Sequence, residues 1–556
     1  MAAVGLSCAF HKRPQLMHIT PDTTALFAGK SFLIIDDFPG MRTLLREMLR
    51  TFGTRNIDTA TNGKEAIALL EKNKYDVILC DYNLGIGMNG QQVLEEAKYR
   101  DLIGLATAWI IVTAEKTADL VFGAAEYMPD DYIIKPVNEA TMKGRLEKVL
   151  SKKEMLVDIE KAVRDKNYNR AVSLCDKALA SNKTNTTELQ RIKTGMLLTL
   201  GSYDRAQQEF EQILAKRDIS WAKTGLGKTF FYKGDTARAQ QIFREVINDN
   251  PAYLEAHDWL AKSHEKAGEL EEAQHALARC TELSPNSVVR QKNLGELAHK
   301  RGDLKTAETA FRKTIKLGQF SIHKSPAAYL GLAKICSEND DPAAALQILK
   351  DVHKEFENAE TSLHAKVVEG MVYSKSGDIA NANRISGEVA VLAKSGDSQR
   401  TAGVMLEAAQ LFLATGNKEA AENIVQTVVK NNHENAELLA QVNDLYSKAG
   451  MSDKGAELVN KSRDEVIAIN DRGVILAKEG KLDDAIRLLG DAHTMLPSNK
   501  RIMINLANMA VMSMRKNGRR SDLMQIADEC LKQVAKLDPQ DKWCAQLQAA
   551  LDALPA

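Results

Sequence analysis

Four short apolar runs near the start of the chain each deliver a polar residue at their end. Phe32-Leu-Ile-Ile35 leads into Asp36-Asp37, Val77-Ile-Leu-Cys80 into Asp81, Ile110-Ile-Val112 into Thr113, and Tyr132-Ile-Ile134 into Lys135. An acid pair, a third acid, a hydroxyl and an ammonium are the parts needed to make and read an acyl phosphate. Asp81 is the candidate nucleophile. Asp37, Asp81 and a backbone carbonyl just beyond it, at Asn83, supply the hard oxygen donors that Mg²⁺ takes, with Asp36 beside them. Such a cation offsets repulsion between the acids and an incoming phosphoryl group, which brings roughly −1.5 to −2 charges. Lys135 can pair with the phosphoryl oxygens, and the Thr113 hydroxyl can follow them once they arrive. Transfer of this kind rests mainly on positioning and charge stabilisation. Asn83 and Glu115, each two residues past a member of the set, flank the approach of attacking water. Their polarity is compatible with fairly fast self-hydrolysis.

Residues this far apart can share a site only if the apolar runs are strands of one open parallel sheet. Continuous apolar runs suit strands buried on both faces, and their C-terminal ends meet in one crevice. A doubly wound, flavodoxin-like α/β domain is therefore expected. Taken singly, an Asp at a strand end is ordinarily a cap and a Lys-Pro step a turn. Five such residues in one order are a different matter.

Residues 30–150 resemble the response-regulator receiver domain of two-component signalling, with all five functional positions in place. The resemblance implies that Asp36 and Asp37 hold Mg²⁺, that Asp81 accepts phosphate, and that Thr113 and Lys135 sense it. It implies a sensor histidine kinase or a phosphotransfer protein as the donor. Tyr132 matches the aromatic that changes rotamer on activation, and Lys135-Pro136 matches a step that is usually cis, a geometry only proline makes cheap. One departure stands out. The loop Asn83-Leu-Gly-Ile-Gly-Met-Asn-Gly90 lacks the usual Met-Pro pair and reads one residue longer.

From about residue 155 the strand signals stop and a repeat begins. Gly201, Gly234, Gly268, Gly302, Gly377, Gly416, Gly450 and Gly480 are each followed five residues later by a small residue, from Ala206 to Ala485. Lys166 and Asp340 fill the glycine slot ahead of Ala171 and Ala345. A left-handed glycine ends the first helix of each unit. The small residue lets the second helix press against the first, and a larger one four later (Phe210, Phe243, Leu277, Phe311, Leu349) fills the gap. Proline then blocks continuation at Pro251, Pro285 and Pro497. A period near 34 residues built from two helices resembles the tetratricopeptide repeat. The expected architecture is multidomain: a leader over 1–29, expected to be disordered, the receiver over 30–150, and an all-α superhelical solenoid of about ten helix pairs over 154–498. An irregular pair and a capping helix follow over 499–556. The glycine-less stretch 340–345 is a candidate seam.

Such a solenoid presents a long concave surface suited to a protein or peptide partner. With 74 basic and 74 acidic residues the chain has no global field favouring nucleic acid or an anionic membrane. No apolar run reaches the ~20 residues of a membrane span. The seven scattered cysteines contain no Cys-x-x-Cys and read as core thiols of a reducing cytoplasm. Met17 is an alternative start to Met1, and a homodimer is compatible with the sequence. Ser151-Lys-Lys-Glu154 fits a capping box and favours a fresh helix there, with one continuous helix and Ser151 exposed mid-span as the competing reading; either way the linker is short and stiff. The expected function is a response regulator in which phosphorylation of Asp81 changes what the solenoid binds. A constitutive scaffold with the receiver as a docking module is the alternative. An enzymatic or transcriptional output finds least support, since no second catalytic motif follows the receiver.

Overall fold

The computed structural model describes residues 26–114, 128–181, 186–394, 401–538 and 541–554. Its first elements are β1 (Ser31–Ile35), α1 (Pro39–Thr51), β2 (Asn56–Ala60), α2 (Gly63–Lys72), β3 (Val77–Cys80), α3 (Gly90–Tyr99), β4 (Ala108–Thr113), β5 (Asp131–Ile134) and α4 (Glu139–Glu154). The five strands are all parallel, in the order β2-β1-β3-β4-β5. This is the doubly wound flavodoxin-like order, whose switch point lies between β1 and β3. The central strands β1, β3 and β4 are buried almost throughout, as their unbroken apolar runs require. One face packs Phe32, Ile34, Leu79 and Ile110 against α1 and α4; the other packs Leu33, Ile78 and Trp109 against α2 and α3.

The register aligns the chemistry. Ile35 of β1 is opposite Cys80 of β3, and Cys80 is opposite Ile111 of β4. Asp36 and Asp81 therefore emerge side by side at the same sheet edge. Asn62, Asn89 and Asn138 cap α2, α3 and α4 by accepting backbone amides, which fixes each helix just beyond a strand end.

Beyond the sheet every described element is helical. The chain divides into two compact units, Met1–Gln291 with Lys316–Lys324, and Lys292–Ile315 with Ser325–Ala556. In each unit consecutive helices of mostly 13 to 17 residues pack as antiparallel pairs. The glycines that end the first helices have φ between +65° and +89°. Lys166 (φ +54°) and Asp340 (φ +59°) adopt the same left-handed turn despite carrying a Cβ, so the turn is imposed by the packing around it. The large residue of the second helix presses on bare backbone. A Cβ on Gly227 would lie 2.5 Å from the Phe243 ring, and one on Gly295 or Gly331 would meet Phe311 at 2.7 or 2.6 Å.

Four expectations are corrected. Phe27, assigned to the leader, is fully buried and packs on Phe52 with ring centroids 5.5 Å apart, so the domain core starts before residue 30. Residues 1–25 of that leader, Met17 included, lie outside the described residues. The predicted helix start at Ser151 is absent: α4 runs through it to Glu154, and the break comes at Met155-Leu156 before α5 (Val157–Arg164). Buried Leu150 and Lys153 explain this. The Lys153 ammonium binds Asp130 at 2.7 Å and the Leu105 carbonyl at 2.9 Å, which holds the last turn of α4 in helical register. The chain divides at 291/292, 315/316 and 324/325, and none of these boundaries falls in the candidate seam 340–345. Finally, the shortest repeat interval, 30 residues between Gly450 and Gly480, has no loop inside it. Ser452–Lys478 is one uninterrupted helix of 27 residues that fuses the second helix of one unit to the first of the next.

Among the described residues the six cysteines are buried and none is in a disulfide. No helix there is long and apolar enough to cross a membrane.

Candidate functional site

The strand ends bring together the five residues singled out by type and spacing. Lys135 Nζ lies 2.9 Å from Asp36 Oδ2 and 2.7 Å from Asp81 Oδ2, bridging the two buried carboxylates. Asp37, the exposed member, completes a cluster in which one oxygen from each of Asp36, Asp37 and Asp81 lies within 4.8 Å of the others. Backbone bonds lock the frame: Asp81 N–H donates to the Ile35 carbonyl at 2.8 Å, Asp36 N–H to Ala60 at 3.2 Å, and Lys135 N–H to Thr113 at 2.8 Å. Asp36 is held twice more, since its Oδ1 accepts the Phe38 amide and its carbonyl accepts Arg42. Thr113 is buried at the end of β4. The Lys135–Pro136 peptide is cis.

The loop after Asp81 is built around its glycines. Gly85 (φ +73°) and Gly87 (φ +117°) take conformations that side chains resist, and Leu84 turns inward while Ile86 is wholly exposed. Asn83 donates its amide to Asp81 Oδ1 at 3.4 Å and accepts the Gly85 amide on its own side-chain oxygen. The Asp81 carbonyl receives the Cys80 thiol, and the Tyr82 carbonyl receives the Gly90 amide. Among the described residues no hydrogen bond reaches the Asn83 carbonyl, so its oxygen is open to a ligand. Carboxylates and a carbonyl make an all-oxygen set, which suits a hard divalent cation.

Burial pushes the Asp81 carboxyl above the ordinary range; the Lys135 hydrogen bond and charge work against that, and Asp36 adds repulsion. Burial alone would lower Lys135, yet its hydrogen bonds to Asp81 and Asp36 hold it above its usual value. The site thus keeps a fixed ammonium among crowded acids. Cys80, fully buried beside Asp81, has its thiol pushed far up by burial and acts as packing. Tyr132 packs part-buried on the α2–α3 side of the sheet, and burial raises its hydroxyl to about 12. Glu115 lies outside the described residues.

The residue that the sequence pattern did not single out is Gly90. It opens α3 directly beneath the nucleophile, where a Cβ would fall 2.0 Å from the Asp81 carbonyl oxygen and 2.9 Å from Cys80 Sγ. The signal was present as a glycine at a helix start facing a strand end, a place where backbones approach closely.

Known proteins share this segment. The family model described as "Response regulator receiver domain" matches residues 32–147, and "Tetratricopeptide repeat" matches residues 230–295. The chain is 31% identical over 120 residues to chemotaxis protein CheY-3 of Vibrio cholerae, covering 91% of that protein and 22% of this one. Chemotaxis protein CheY of Pseudomonas aeruginosa is 29% identical over the same length, with 95% of it covered. Among solved structures, the response regulator TrrA of Thermotoga maritima, in complex with Mg²⁺-BeF, is similar at 30% identity over 22% of this chain and 99% of that one, with a TM-score of 0.20. Chemotaxis response regulator CheY4 of Vibrio cholerae is similar at 25% identity over 22% and 98%, with a TM-score of 0.20.

Proposed function

The chain belongs to the response-regulator receiver family, joined here to a tetratricopeptide region, and from that premise we propose that phosphorylation of Asp81 modulates protein binding by the helical region. The observation that carries the reading is the Lys135 ammonium bridging Asp81 and Asp36 at the end of β3. In this reading Asp81 Oδ attacks the phosphorus of a phosphohistidine on a sensor kinase or phosphotransfer protein. The new P–O bond forms as the P–N bond breaks, and the imidazole leaves with the electron pair. Asp36, Asp37, Asp81 and the Asn83 carbonyl would hold Mg²⁺, which when bound screens the acids from the phosphoryl oxygens. Lys135 exchanges its carboxylate partners for a phosphoryl oxygen, Thr113 donates its hydroxyl to another, and Tyr132 repacks behind it. Asn83 and Glu115 tune the approach of hydrolytic water. The chain's only chemistry is this acceptance and loss of phosphate, and it acts in the cytoplasm as a signalling adaptor.

A route from the site to the helices supports the second half of the proposal. The loop between α3 and β4 packs Leu105 and Ala106 onto Leu156 and Ile159, the first residues of the helical region. This loop leads into the N-terminal end of β4, whose other end carries Thr113, so a shift of β4 along its length reaches α5 without a flexible tether. Full control, from 1:99 to 99:1, needs about 5.5 kcal/mol of bias, and a smaller bias gives graded control.

The test is hydrogen exchange on the full chain with Mg²⁺, with and without beryllofluoride, beside Asp81→Asn. Altered protection at residues 102–107 and 156–163 in the wild type alone is expected. Beryllofluoride binding that leaves those segments and the set of bound proteins unchanged overturns the switch and favours a constitutive scaffold.

A further inference from the structure

The connection between the helices Leu304–Gly318 and Pro326–Glu338 is longer than the repeat requires. Seven residues, 319–325, span it, against three or four at 217–219, 250–253, 284–287, 356–358 and 432–435. Ala307 and Ala345 are accordingly 38 residues apart in a repeat with a period near 34. The extra length is folded. Ser321 N–H donates to the Gly318 carbonyl at 3.1 Å and Lys324 N–H to the Ser321 carbonyl at 3.0 Å, which makes two successive turns. The Ser321 hydroxyl, in a buried residue, accepts the His323 amide at 3.1 Å and fixes the backbone that carries the imidazole.

That imidazole is turned onto the receiver. His323 Nε2 lies 3.1 Å from Glu95 Oε1, and the ring meets Tyr99 edge-on, with centroids 5.3 Å apart and planes at 80°. Glu95 and Tyr99 stand four residues apart on α3 and so share one face of it. Glu95 is 7% exposed, and a carboxylate that deep is tolerated only with a partner. Lys316–Lys324 accordingly belongs to the same compact unit as the receiver, whereas the residues on either side of it belong to the other. The far end of α3 is equally tight. Gly90 lies so close to the phosphate acceptor that a Cβ would fall 2.0 Å from the Asp81 carbonyl oxygen. The Gly90 amide donates to the Tyr82 carbonyl at 2.8 Å, and the capping box of Asn89 and Gln92 fixes the first turn. One rigid helix, about 15 Å long, therefore runs from Asp81 to His323.

We propose that Glu95 and Tyr99 form an intramolecular latch with His323, closed while Lys135 bridges Asp36 and Asp81 and opened by phosphorylation of Asp81 through a shift of α3. In the closed arrangement Lys135 has both carboxylates as partners. When Lys135 and Thr113 turn to a phosphoryl group, the tight approach of Gly90 leaves the step from β3 into α3 no room to absorb the change. The helix then moves as a body, and the Glu95 carboxylate is carried off His323. The latch gives the receiver a hold on the helical region separate from the packing of Leu105 on Leu156. It rests on the reading of Asp81 as the phosphate acceptor, but not on that packing and not on any bound partner.

Coupling between two sites is reciprocal, so if a phosphoryl group opens the latch, breaking the latch must tighten binding of a phosphoryl mimic by the same factor. The experiment measures beryllofluoride affinity by ¹⁹F NMR with Mg²⁺ on the full chain, for wild type, His323→Ala, Glu95→Ala and the double variant. Hydrogen exchange at 319–325 is followed on the same samples, and circular dichroism confirms folding. Each single variant is expected to bind beryllofluoride about fivefold or more tighter than wild type and to exchange faster at 319–325. The double variant should match either single one, since both remove the same contact. Beryllofluoride should speed exchange at 319–325 in the wild type and not in Asp81→Asn. Faster loop exchange in the variants with unchanged or weaker beryllofluoride binding makes the contact merely structural and overturns the latch. So does wild-type exchange at 319–325 in both single variants. Beryllofluoride that binds none of these proteins defeats the reading of Asp81 and the latch with it. Tighter binding in the latch variants, with an unaltered set of bound proteins, keeps the latch and defeats only the control of partner binding.

Discussion

The Ala106 amide donates a 2.6 Å hydrogen bond to Glu160 Oε2, so the loop ahead of β4 is held by the first helix beyond the receiver. The fit leaves no slack. A Cβ on Gly104 would lie 2.2 Å from Glu160 Cδ, and the adjacent Leu105 carbonyl is taken by Lys153. Three consecutive residues of one loop thus touch α4 or α5, which makes this loop the mechanical joint between sheet and helices.

Glu160→Ala removes the acceptor and leaves the Ala106 amide unpaired in a half-buried position. A loss of about 1–3 kcal/mol is expected from such an orphaned donor. Denaturant titration with hydrogen exchange at Ala106 reads it directly. Wild-type protection at that amide would show that the bond contributes nothing.

Gly90→Ala tests the packing of α3 beneath the nucleophile. The clash at 2.0 Å is with a backbone oxygen, which cannot swing aside as a side chain could, so the N-terminus of α3 must retreat. Overpacking of this kind costs about 1–3 kcal/mol. Displacing the Asp81 carbonyl should also weaken beryllofluoride binding, read by ¹⁹F NMR in the presence of Mg²⁺. A variant with wild-type stability and affinity would mean that the helix start yields freely.

Asp81 ties pH to both stability and metal affinity. Its folded-state carboxyl lies above the usual 3.8, chiefly through burial, so the folded chain keeps a proton that the unfolded chain releases. Stability in the absence of metal therefore falls as pH rises from 3.8 through the raised value, and the penalty is fully present at neutral pH. Asp81→Asn removes that ionisation and is expected to melt higher than wild type without Mg²⁺. Adding Mg²⁺ stabilises the wild type more and narrows the gap. Mg²⁺ affinity should weaken as pH falls through the same raised value, because proton and cation compete for one carboxylate. Calorimetric melts of both proteins in chelator and in Mg²⁺ decide it; an Asp81→Asn variant that melts lower in chelator would refute the burial argument.

The sheet and its site were legible because each relied on a local signal: a continuous apolar run, then one polar residue at a strand end. The parallel register of β1, β3 and β4 did the rest, carrying Asp36 and Asp81 to one edge. The repeat was legible for the same reason, since a left-handed turn leaves glycine and a packed second helix leaves alanine. What escaped depended on contacts distant in sequence. Ser151 has the residues of a capping box, but Lys153 is pinned by Leu105 and Asp130, so the helix continues past it. Phe27 looked like leader because its partner Phe52 lies at the far end of α1. The fusion across Ser452–Lys478 left only a shortened interval as its trace.

Glu407 offers a test of the helical region that is independent of the receiver. Its carboxylate joins three successive first helices, accepting from Lys334 Nζ at 2.6 Å and from His364 Nε2 at 2.9 Å. Burial would raise its pKa, but the His364 hydrogen bond and the charges of Lys334 and His364 overcome this and hold it at about 2. A depressed carboxyl contributes stability that is present above its unfolded value of 4.5 and is lost as pH falls through about 2. Glu407→Gln should therefore destabilise the protein at neutral pH and become indistinguishable from wild type at the acid end of that window. Thermal melts of the two proteins across the window measure the difference. A gap independent of pH would mean that Glu407 acts by packing alone and that its charge stabilises nothing.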